Sequence, residues 1–382
     1  MTPDYSRLMA EATRLTRAGD LAAATAAIQA ALAGTALAAA PPHSSAAAAD
    51  NVIDVVARVV PDAPAAAAAA ALIAPRAAPR EPAPTTQARA QAPAAPHVEP
   101  AAHPARFAAG RYTHPSAGAR EYKLYIPPGP ATAPRPLVVM LHGCTQTPED
   151  FAAGTRMNDL ARAQGFVVLY PAQSPRMNPQ RCWNWFKHSH QQRERGEPAI
   201  IAGMVREVVA QHGIDPARVY VAGLSAGGAM AAVLGQAYPD VFAAIGVHSG
   251  LASGAASDLP SALAAMQSGA RGKPGARAVP TIVFHGDNDS TVHPANGAHV
   301  AASAAAPGST AQVDRVSAGA RRPSTRHVHR SADGASQVEH WVVHGAPHAW
   351  SGGSSAGSYT DPSGPDATAE MLRFFMQHRR GG

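Results

Sequence analysis

The sequence predicts an α/β fold in which a mostly parallel central sheet carries helices on both faces. Beyond residue 107, short β-prone apolar segments alternate with longer segments of helical periodicity. Strands that alternate with helices in this way form parallel sheets. Several short segments are also continuously apolar, which is typical of strands buried on both faces. Residues 107–382 are therefore predicted to form one α/β domain.

Residues 1–34 are predicted to form a helical hairpin ahead of this domain. Leu8, Ala12 and Leu15 recur at helical spacing, and Gly19 ends the first helix. The pair resembles one helix-turn-helix unit of the tetratricopeptide kind, and a single unit buries little apolar surface. We interpret it as an appendage or as a contact for a protein partner or an apolar surface.

Residues 35–106 are dominated by Ala and Pro. Such a composition buries too little apolar surface to offset the entropy of ordering the chain. We interpret this segment as a disordered, semi-extended linker. A short helix near residues 51–60 is possible, because four valines there share one helical face.

The overall composition excludes several classes of protein. The formal charge is +6, but the basic residues are dispersed, so a nucleic-acid partner is not predicted. No apolar run of about eighteen residues occurs, so no transmembrane segment is expected. The N-terminus carries acids and arginines where a secretion signal needs a basic start and an apolar run. The two cysteines are too few for a disulfide scaffold or a multi-cysteine zinc site.

The first half of the predicted domain contains three strands and one helix. Residues 121–126 alternate as a half-buried strand does, whereas residues 136–141 form a continuous apolar run. Residues 151–164 have helical spacing that ends at Gly165. Residues 166–170 are again apolar throughout, which predicts the next buried strand.

The second half continues the alternation. A helix over 197–211 leads into the β-prone run 219–222, and a small, Ala-rich helix follows it. Further strands are predicted at 242–247, 281–284 and 338–343. Residues 367–378 are predicted to form a closing amphipathic helix. Right-handed crossovers would place the ends of these strands, and hence a site, along one edge of the sheet.

The segment Gly223-Leu224-Ser225-Ala226-Gly227 matches the G-x-S-x-G pattern of a nucleophile at a strand-to-helix turn. A serine at such a turn has a strained backbone, and the flanking glycines let the strand and the helix pass close together. The helix N-terminus also directs N–H groups at an oxyanion that forms beside the serine. Ser225 is therefore the predicted nucleophile, and the backbone N–H of Ala226 is one predicted oxyanion donor.

A serine nucleophile needs a base and a group that orients the base. After a G-x-S-x-G turn, the acid is expected on a loop beyond a downstream strand, and the histidine on a later loop. Asp287 and Asp289 both follow the strand at 281–284, and Asp289 is favoured because it lies further out. His344 and His348 follow the last strand, and His348 is favoured because it lies on the free loop.

Three further features surround this predicted site. The loop after the strand at 136–141 should supply a second oxyanion donor, the backbone N–H of Cys144. Because aromatic residues are scarce, we interpret three tryptophans near the site as substrate contacts: Trp183, Trp185 and Trp350. Core packing is the alternative. A disulfide between Cys144 and Cys182 is possible and would require an oxidising compartment, in conflict with the missing secretion signal.

Seven motifs in order carry a resemblance to the polyhydroxybutyrate depolymerase family of esterases, with feruloyl and acetylxylan esterases as neighbours. They are LHGCTQTPEDFAAGTRMNDLA, FVVLYPAQS, NPQRCWNWF, RGEPAIIAGM, VYVAGLSAGGAM, FHGDNDSTVHP and HAWSGG. The resemblance implies an α/β-hydrolase fold, hydrolysis of carboxylic esters and, for many members, an extracellular location. It assigns the triad to Ser225, Asp289 and His348, in agreement with the reasoning from the residues.

The expected function is thus hydrolysis of poly- or oligo(3-hydroxybutyrate) through an acyl-enzyme, without a metal or organic cofactor. Many depolymerases that this chain resembles have a separate polymer-binding domain after the catalytic domain, and its absence here favours soluble oligomers, amorphous polymer or a small ester. Feruloyl, acetylxylan or general short-chain ester hydrolysis is the nearer alternative. A polymer-granule or partner-binding protein that uses the N-terminal helices is the alternative of another class.

Overall fold

The computed structural model describes residues 104–381, apart from 274–278, 307, 318, 332 and 333. The predicted hairpin at 1–34, the short helix at 51–60 and the linker up to residue 103 lie outside the described residues. These expectations, and the domain boundary at residue 107, therefore stay predictions. The first described strand begins at Arg106.

Ten strands of the described chain form one sheet in the order β1-β2-β4-β3-β5-β6-β7-β10-β9-β8. Strands β3 to β7 and β10 are mutually parallel, whereas β1, β2, β8 and β9 pair antiparallel at the two edges. This arrangement confirms the predicted mostly parallel sheet. The bounds are β1 (Arg106–His114), β2 (Gly118–Ile126), β3 (Arg135–Leu141), β4 (Val167–Pro171), β5 (Ile214–Leu224), β6 (Ala244–His248), β7 (Thr281–Gly286), β8 (Gln312–Val316), β9 (Ser324–Arg330) and β10 (Ser336–Val343).

Helices cover both faces of the sheet, and each face has its own apolar core. Alternate residues of β3 show the division, because Leu137 and Val139 enter one core and Val138 and Met140 enter the other. The helices are α1 (Pro148–Thr155), α2 (Met157–Gln164), α3 (Gly196–Gln211), α4 (Ala226–Ala237), α5 (Leu259–Ser268), α6 (Ala295–Ala304) and α7 (Ala367–Phe375). Buried residues of α3 to α6 belong to the first core, and those of α1, α2 and α7 belong to the second.

The structure differs from the sequence expectations in several local details. The single helix expected over 151–164 is two helices, because Arg156 adopts a left-handed conformation with φ of 56° between α1 and α2. The strands β1, β8 and β9 and the helices α5 and α6 were not predicted. In the described part of the chain, no helix is long and apolar enough to cross a membrane.

The parallel register brings the ends of five strands to one edge of the sheet. Leu141 at the end of β3 pairs with Gly223 in β5, and Leu224 pairs with His248 at the end of β6. On the other side of β6, Gly286 of β7 pairs with Val343 of β10. The loops that carry the predicted site residues therefore leave the sheet at the same level.

Two buried histidines predict a loss of stability in mild acid. Burial lowers the pKa of His248 and of His340 from 6.5 to about 3. Both rings are thus neutral in the folded chain but take up protons on unfolding, so their contribution to stability is complete above pH 6.5 and falls as the pH drops towards 3. At pH 5 each should lower the free energy of unfolding by ~2 kcal/mol relative to pH 7.

Urea unfolding of the wild type and of His340→Leu at pH 7 and pH 5 checks this prediction. The variant should lose less stability between the two pH values than the wild type. Most carboxylates stay ionised in this range, so they contribute little to the difference. Equal losses in the two proteins would contradict a neutral buried His340.

Candidate active site

Ser225 lies between the end of β5 and the start of α4 in a strained backbone conformation, with φ of 56° and ψ of −119°. The two glycines of the G-x-S-x-G segment make this turn possible. A Cβ atom on Gly223 would lie 2.3 Å from the carbonyl carbon of Gly227. Real Cβ atoms do not approach backbone so closely, so only glycine lets the strand and the helix pass at this distance. The steric reason predicted for the motif is confirmed.

The turn after β3 packs directly against this elbow. A Cβ on Gly227 would lie 2.1 Å from the carbonyl oxygen of Leu141, and a Cβ on Gly143 would lie 3.7 Å from the Cβ of Ser225. In the described part of the chain, the backbone N–H groups of Cys144 and Ala226 donate to no protein acceptor. Two such N–H groups beside a serine are suited to bind an oxyanion.

Side chains hold the turn after β3 in place. The Nδ1–H of His142 donates to the carbonyl of Gly143 (2.7 Å), and its Nε2 accepts from the backbone N–H of Gln173 (3.1 Å). Burial lowers the pKa of His142 to about 4, so the ring is neutral at pH 7 and keeps one donor and one acceptor nitrogen. Gln146 accepts a hydrogen bond from the N–H of Gly143 (2.9 Å). The turn therefore has a fixed shape before any ligand binds.

A disulfide joins Cys144 and Cys182, the pairing that the sequence left open. It joins the turn after β3 to the segment Cys182-Trp183-Asn184-Trp185. Cross-linking residues 38 apart in sequence removes conformational entropy from the unfolded chain. The disulfide therefore stabilises the fold and the turn together.

Asp289 and His348 are hydrogen-bonded across the loops that follow β7 and β10. The Nδ1–H of His348 donates to Oδ2 of Asp289 at 2.7 Å. Oδ1 of Asp289 accepts from the backbone N–H groups of Thr291 and Val292, at 2.9 and 2.8 Å. This tautomer leaves Nε2 of His348 as the nitrogen that can take a proton.

The carboxylate of Asp289 is buried and stays ionised. Burial alone would raise its pKa, but hydrogen bonds from His285, His348 and Val292 hold the pKa of Asp289 far below its usual range. His285 lies behind the carboxylate, with its Nε2 at 2.8 Å from the carbonyl of Val292 and 3.4 Å from Oδ2 of Asp289. A permanently charged carboxylate can orient an imidazole and stabilise its protonated form.

The two competing residues form a separate pair at the surface. The ring of His344 bonds through Nδ1 to Asp287 (2.8 Å) and through Nε2 to Thr325 (2.9 Å). Asp287 also accepts from the N–H of Gly345. Each carboxylate therefore has its own histidine, and the buried pair is Asp289 with His348. This geometry supports the assignment of the acid and the base made from the sequence.

His248 connects the elbow to the loop of His348, a connection that sequence reasoning missed. Its carbonyl accepts from the N–H of Ser225 (2.9 Å), and its Nε2 accepts from the N–H of Ser351 (2.9 Å). Its ring stacks on Trp350 with centroids 5.0 Å apart. In the sequence, His248 directly follows the strand predicted at 242–247, which comes after the elbow. That position was the signal that could have placed it beside Ser225.

The three tryptophans predicted to contact substrate lie in the core. Trp183 and Trp350 are 0% exposed and Trp185 is 5% exposed. Trp183 donates its indole N–H to the carbonyl of His142 (3.2 Å), and Trp350 donates to the hydroxyl of Thr368 (2.8 Å). Their burial favours the alternative of core packing, and substrate contact by these rings stays an untested prediction.

An exposed aromatic residue lies beside the turn after β3 instead. Tyr359 is 47% exposed, and its hydroxyl lies 3.2 Å from Oγ1 of Thr145. Sequence reasoning passed over it because it follows a run of glycines and serines. An exposed aromatic ring at this position can contact an apolar part of a ligand.

A cavity of about 1110 Å³ borders the end of the same turn at Gln146. Residues of β1 and β2, the segment 146–149 and the segment 172–177 line it. Ser225, Asp289 and His348 do not line it, so we do not assign it to the catalytic centre. Among the described residues, no group of three or more His, Cys, Asp and Glu side chains is placed to hold a metal ion.

Comparison with known protein families gives a match over residues 120–329 to the model described as esterase PHB depolymerase. This match covers more than half of the 382 residues. The chain belongs to the esterase PHB depolymerase family. The matched region contains Ser225 and Asp289 and ends before His348.

Curated relatives of this family member include depolymerases and esterases. It is 40% identical over 187 residues to poly(3-hydroxyalkanoate) depolymerase C of Paucimonas lemoignei, covering 45% of this chain and 44% of the relative. It is 37% identical over 141 residues to feruloyl esterase B of Neurospora crassa, covering 36% of this chain and 47% of the relative. The chain thus spans less than half the length of these relatives.

A solved structure confirms the fold of this family member. The acetyl xylan esterase from Aspergillus awamori superposes with a TM-score of 0.55 at 20% identity, covering 71% of this chain and 99% of that chain. The predicted α/β-hydrolase fold is therefore confirmed.

The close approach at the elbow predicts that Gly227→Ala will impair catalysis. The added Cβ meets backbone at Leu141 and must push the turn after β3 away from Ser225. If the N–H groups of Cys144 and Ala226 bind the oxyanion as predicted, displacing them should lower kcat for a nitrophenyl ester ~100-fold or more. Steady-state kinetics measures the loss of kcat, and a thermal melt checks that the fold is retained.

Gly203→Ala is the matched control for this change. Its Cβ would also make a close contact, at 2.1 Å, but with the hydroxyl end of the Tyr112 side chain, which can move. This control should keep kcat within about threefold, because no catalytic group moves. Equal losses in the two variants would contradict a specific role for the contact at Gly227.

Proposed function

We propose that this chain is a serine esterase that hydrolyses carboxylic esters through Ser225, His348 and Asp289. One observation carries the proposal: the buried, ionised Asp289 accepts the Nδ1–H of His348 at the sheet edge where Ser225 occupies the strained elbow. Membership of the esterase PHB depolymerase family supports the same reaction. We also propose that residues 107–382 are the catalytic domain.

The reaction follows from this geometry as a two-step acyl transfer. Ser225 attacks the ester carbonyl while Nε2 of His348 takes its proton, and Asp289 stabilises the imidazolium. The N–H groups of Cys144 and Ala226 bind the oxyanion of the tetrahedral intermediate. His348 then protonates the leaving alcohol. Water, deprotonated by His348, releases the acid from Ser225 in the second step.

The proposed substrate is poly- or oligo(3-hydroxybutyrate). The relative with 40% identity is named as a poly(3-hydroxyalkanoate) depolymerase, and the matching family model carries the same activity in its description. The exposed ring of Tyr359 beside the turn after β3 offers an apolar contact for the methyl groups of such a chain.

Feruloyl or acetylxylan ester hydrolysis is the second candidate. A named feruloyl esterase B is 37% identical to this chain, and a named acetylxylan esterase A of Talaromyces purpureogenus is 36% identical over 132 residues. These enzymes share the reaction and differ in the acid and the alcohol of the ester. The alternative of another class is a polymer-granule or partner-binding protein that uses residues 1–34. Those residues lie outside the described part of the chain, so this alternative stays a prediction.

Substitution of the proposed triad tests the mechanism. Ser225→Ala should lower kcat by about four orders of magnitude or more, with an unchanged melting temperature. Asp289→Asn should lower it roughly 1,000-fold, because the imidazole loses its orienting charge. Asp287→Asn is the matched control and should keep kcat within about threefold, since its pair with His344 is exposed. A larger loss in Asp287→Asn than in Asp289→Asn would reverse the assignment of the acid.

An ester panel tests the substrate. We expect the purified protein to hydrolyse 3-hydroxybutyrate oligomers and amorphous poly(3-hydroxybutyrate) with a higher kcat/KM than methyl ferulate or acetylated xylan. Ser225→Ala, assayed in parallel, corrects for contaminating esterases. A preference for methyl ferulate or acetylated xylan would retain the serine esterase mechanism and replace the proposed substrate.

A further inference from the structure

The buried carboxylate of Glu197 has no role in the acyl-transfer steps above. It lies in the first turn of α3 and is 1% exposed. Asn184 donates to it through both its backbone N–H and its Nδ2, each at 2.7 Å. The guanidinium of Arg120 lies 3.3 Å away and the ring of His190 lies 3.4 Å away. Burial would raise the pKa of Glu197, but the nearby ring of His190 and hydrogen bonds from Gln173 and Asn184 lower it, so the group stays charged.

One connection runs from this carboxylate through Gln173 to the turn after β3, which carries the N–H of Cys144. The side-chain amide of Gln173 donates to Glu197 and to the carbonyl of Cys182 (2.9 Å). The backbone N–H of Gln173 donates to Nε2 of His142, whose Nδ1–H donates to the carbonyl of Gly143. The position of Gln173 therefore sets both the tautomer of His142 and the orientation of the peptide next to Cys144.

A second connection runs through Asn184. Its neighbour Trp183 donates an indole N–H to the carbonyl of His142, so this buried ring supports the same turn. On the other side of Trp183, Cys182 is covalently bonded to Cys144. Fixing Asn184 therefore fixes both attachments of this segment to the turn.

We propose that Glu197 is a positioning residue for the oxyanion hole, acting through Gln173 and Asn184 on the backbone N–H of Cys144. An oxyanion donor is effective only if its direction is set before the charge forms, because reorientation during the reaction costs part of the stabilisation. Glu197 holds two segments at once, 173–174 and 182–184, and both contact the turn. This inference rests on the proposed serine esterase function.

The test compares Glu197→Gln with Glu339→Gln. Glutamine cannot accept at both former carboxylate oxygens, so at least one donor from Asn184 or Gln173 loses its partner. Glu339 is the matched control, since it is buried at 2% exposure and accepts from Ser336, Trp341 and Arg373, none of which contacts the turn. Each variant is assayed for kcat, for KM and for inhibition by an alkyl trifluoromethyl ketone. This compound forms a tetrahedral adduct with the nucleophilic serine.

A positioning role predicts a specific pattern. In Glu197→Gln, kcat and affinity for the trifluoromethyl ketone should fall together by about tenfold, with KM changed by less than about threefold. Glu339→Gln should lower the melting temperature but leave kcat and inhibitor affinity within about threefold. If both variants change inhibitor affinity equally, or if neither changes it, Glu197 has a structural role only.

A second variant covers the case in which Glu197→Gln does not fold. Asn184→Ala removes the Nδ2 hydrogen bond to Glu197 but keeps the backbone one and the ion pair with Arg120, so no buried charge is left unpaired. It should show the same joint loss of kcat and inhibitor affinity. An unchanged inhibitor affinity in a folded Asn184→Ala would overturn the inference. Failure of the proposed function would look different, because Ser225→Ala would then keep the turnover of the wild type.

Discussion

The contact between backbone and backbone at Gly223, Gly227 and Leu141 is the constraint on which the rest of the site depends. A strand, a helix and the turn after β3 meet there at distances that no side chain would allow. Side-chain packing can relax by changing rotamers, but this contact cannot, so it sets the position of Ser225 with little variation. The turn after β3 and the proposed nucleophile Ser225 are consequently placed relative to each other by main-chain geometry.

The groups around this contact are buried and polar, and each has a defined charge. The histidines at 142 and 248 are held neutral by burial, whereas Asp289 and Glu197 are held ionised by the donors that surround them. Such groups are costly to bury unless they are hydrogen-bonded, and a network that satisfies them has few alternative arrangements. The same interactions that keep these charges therefore also make the site rigid.

The sequence predicted those parts of the fold and of the candidate site that have a local signal. Continuous apolar runs marked the central strands, and the glycine spacing marked the elbow. The edge strands were missed because β1 is largely exposed and β8 is exposed or half-buried, so neither has a clear alternation of apolar residues. Trp183 was predicted to contact substrate because aromatic residues are scarce in this chain. Scarcity does not indicate whether the ring points into the core or towards a ligand. Glu197 could not be found, because its partners come from residues 120, 173 and 184 and meet only in the folded chain.

The exposed pair of Asp287 and His344 has a consequence for how the loops after β7 and β10 respond to salt. It joins the two loops close to the sheet, while Asp289 and His348 join them further out. Backbone hydrogen bonds also join these loops, from the N–H of Asp287 to the carbonyl of Val343 and from the N–H of Asn288 to the carbonyl of Ala346. The exposed pair therefore adds to a connection that does not depend on it. Solvent ions reach this exposed pair and weaken it by screening, since its side chains are about 40% exposed. Ionic strength thus acts on the exposed pair and leaves the charge of the buried Asp289 unchanged.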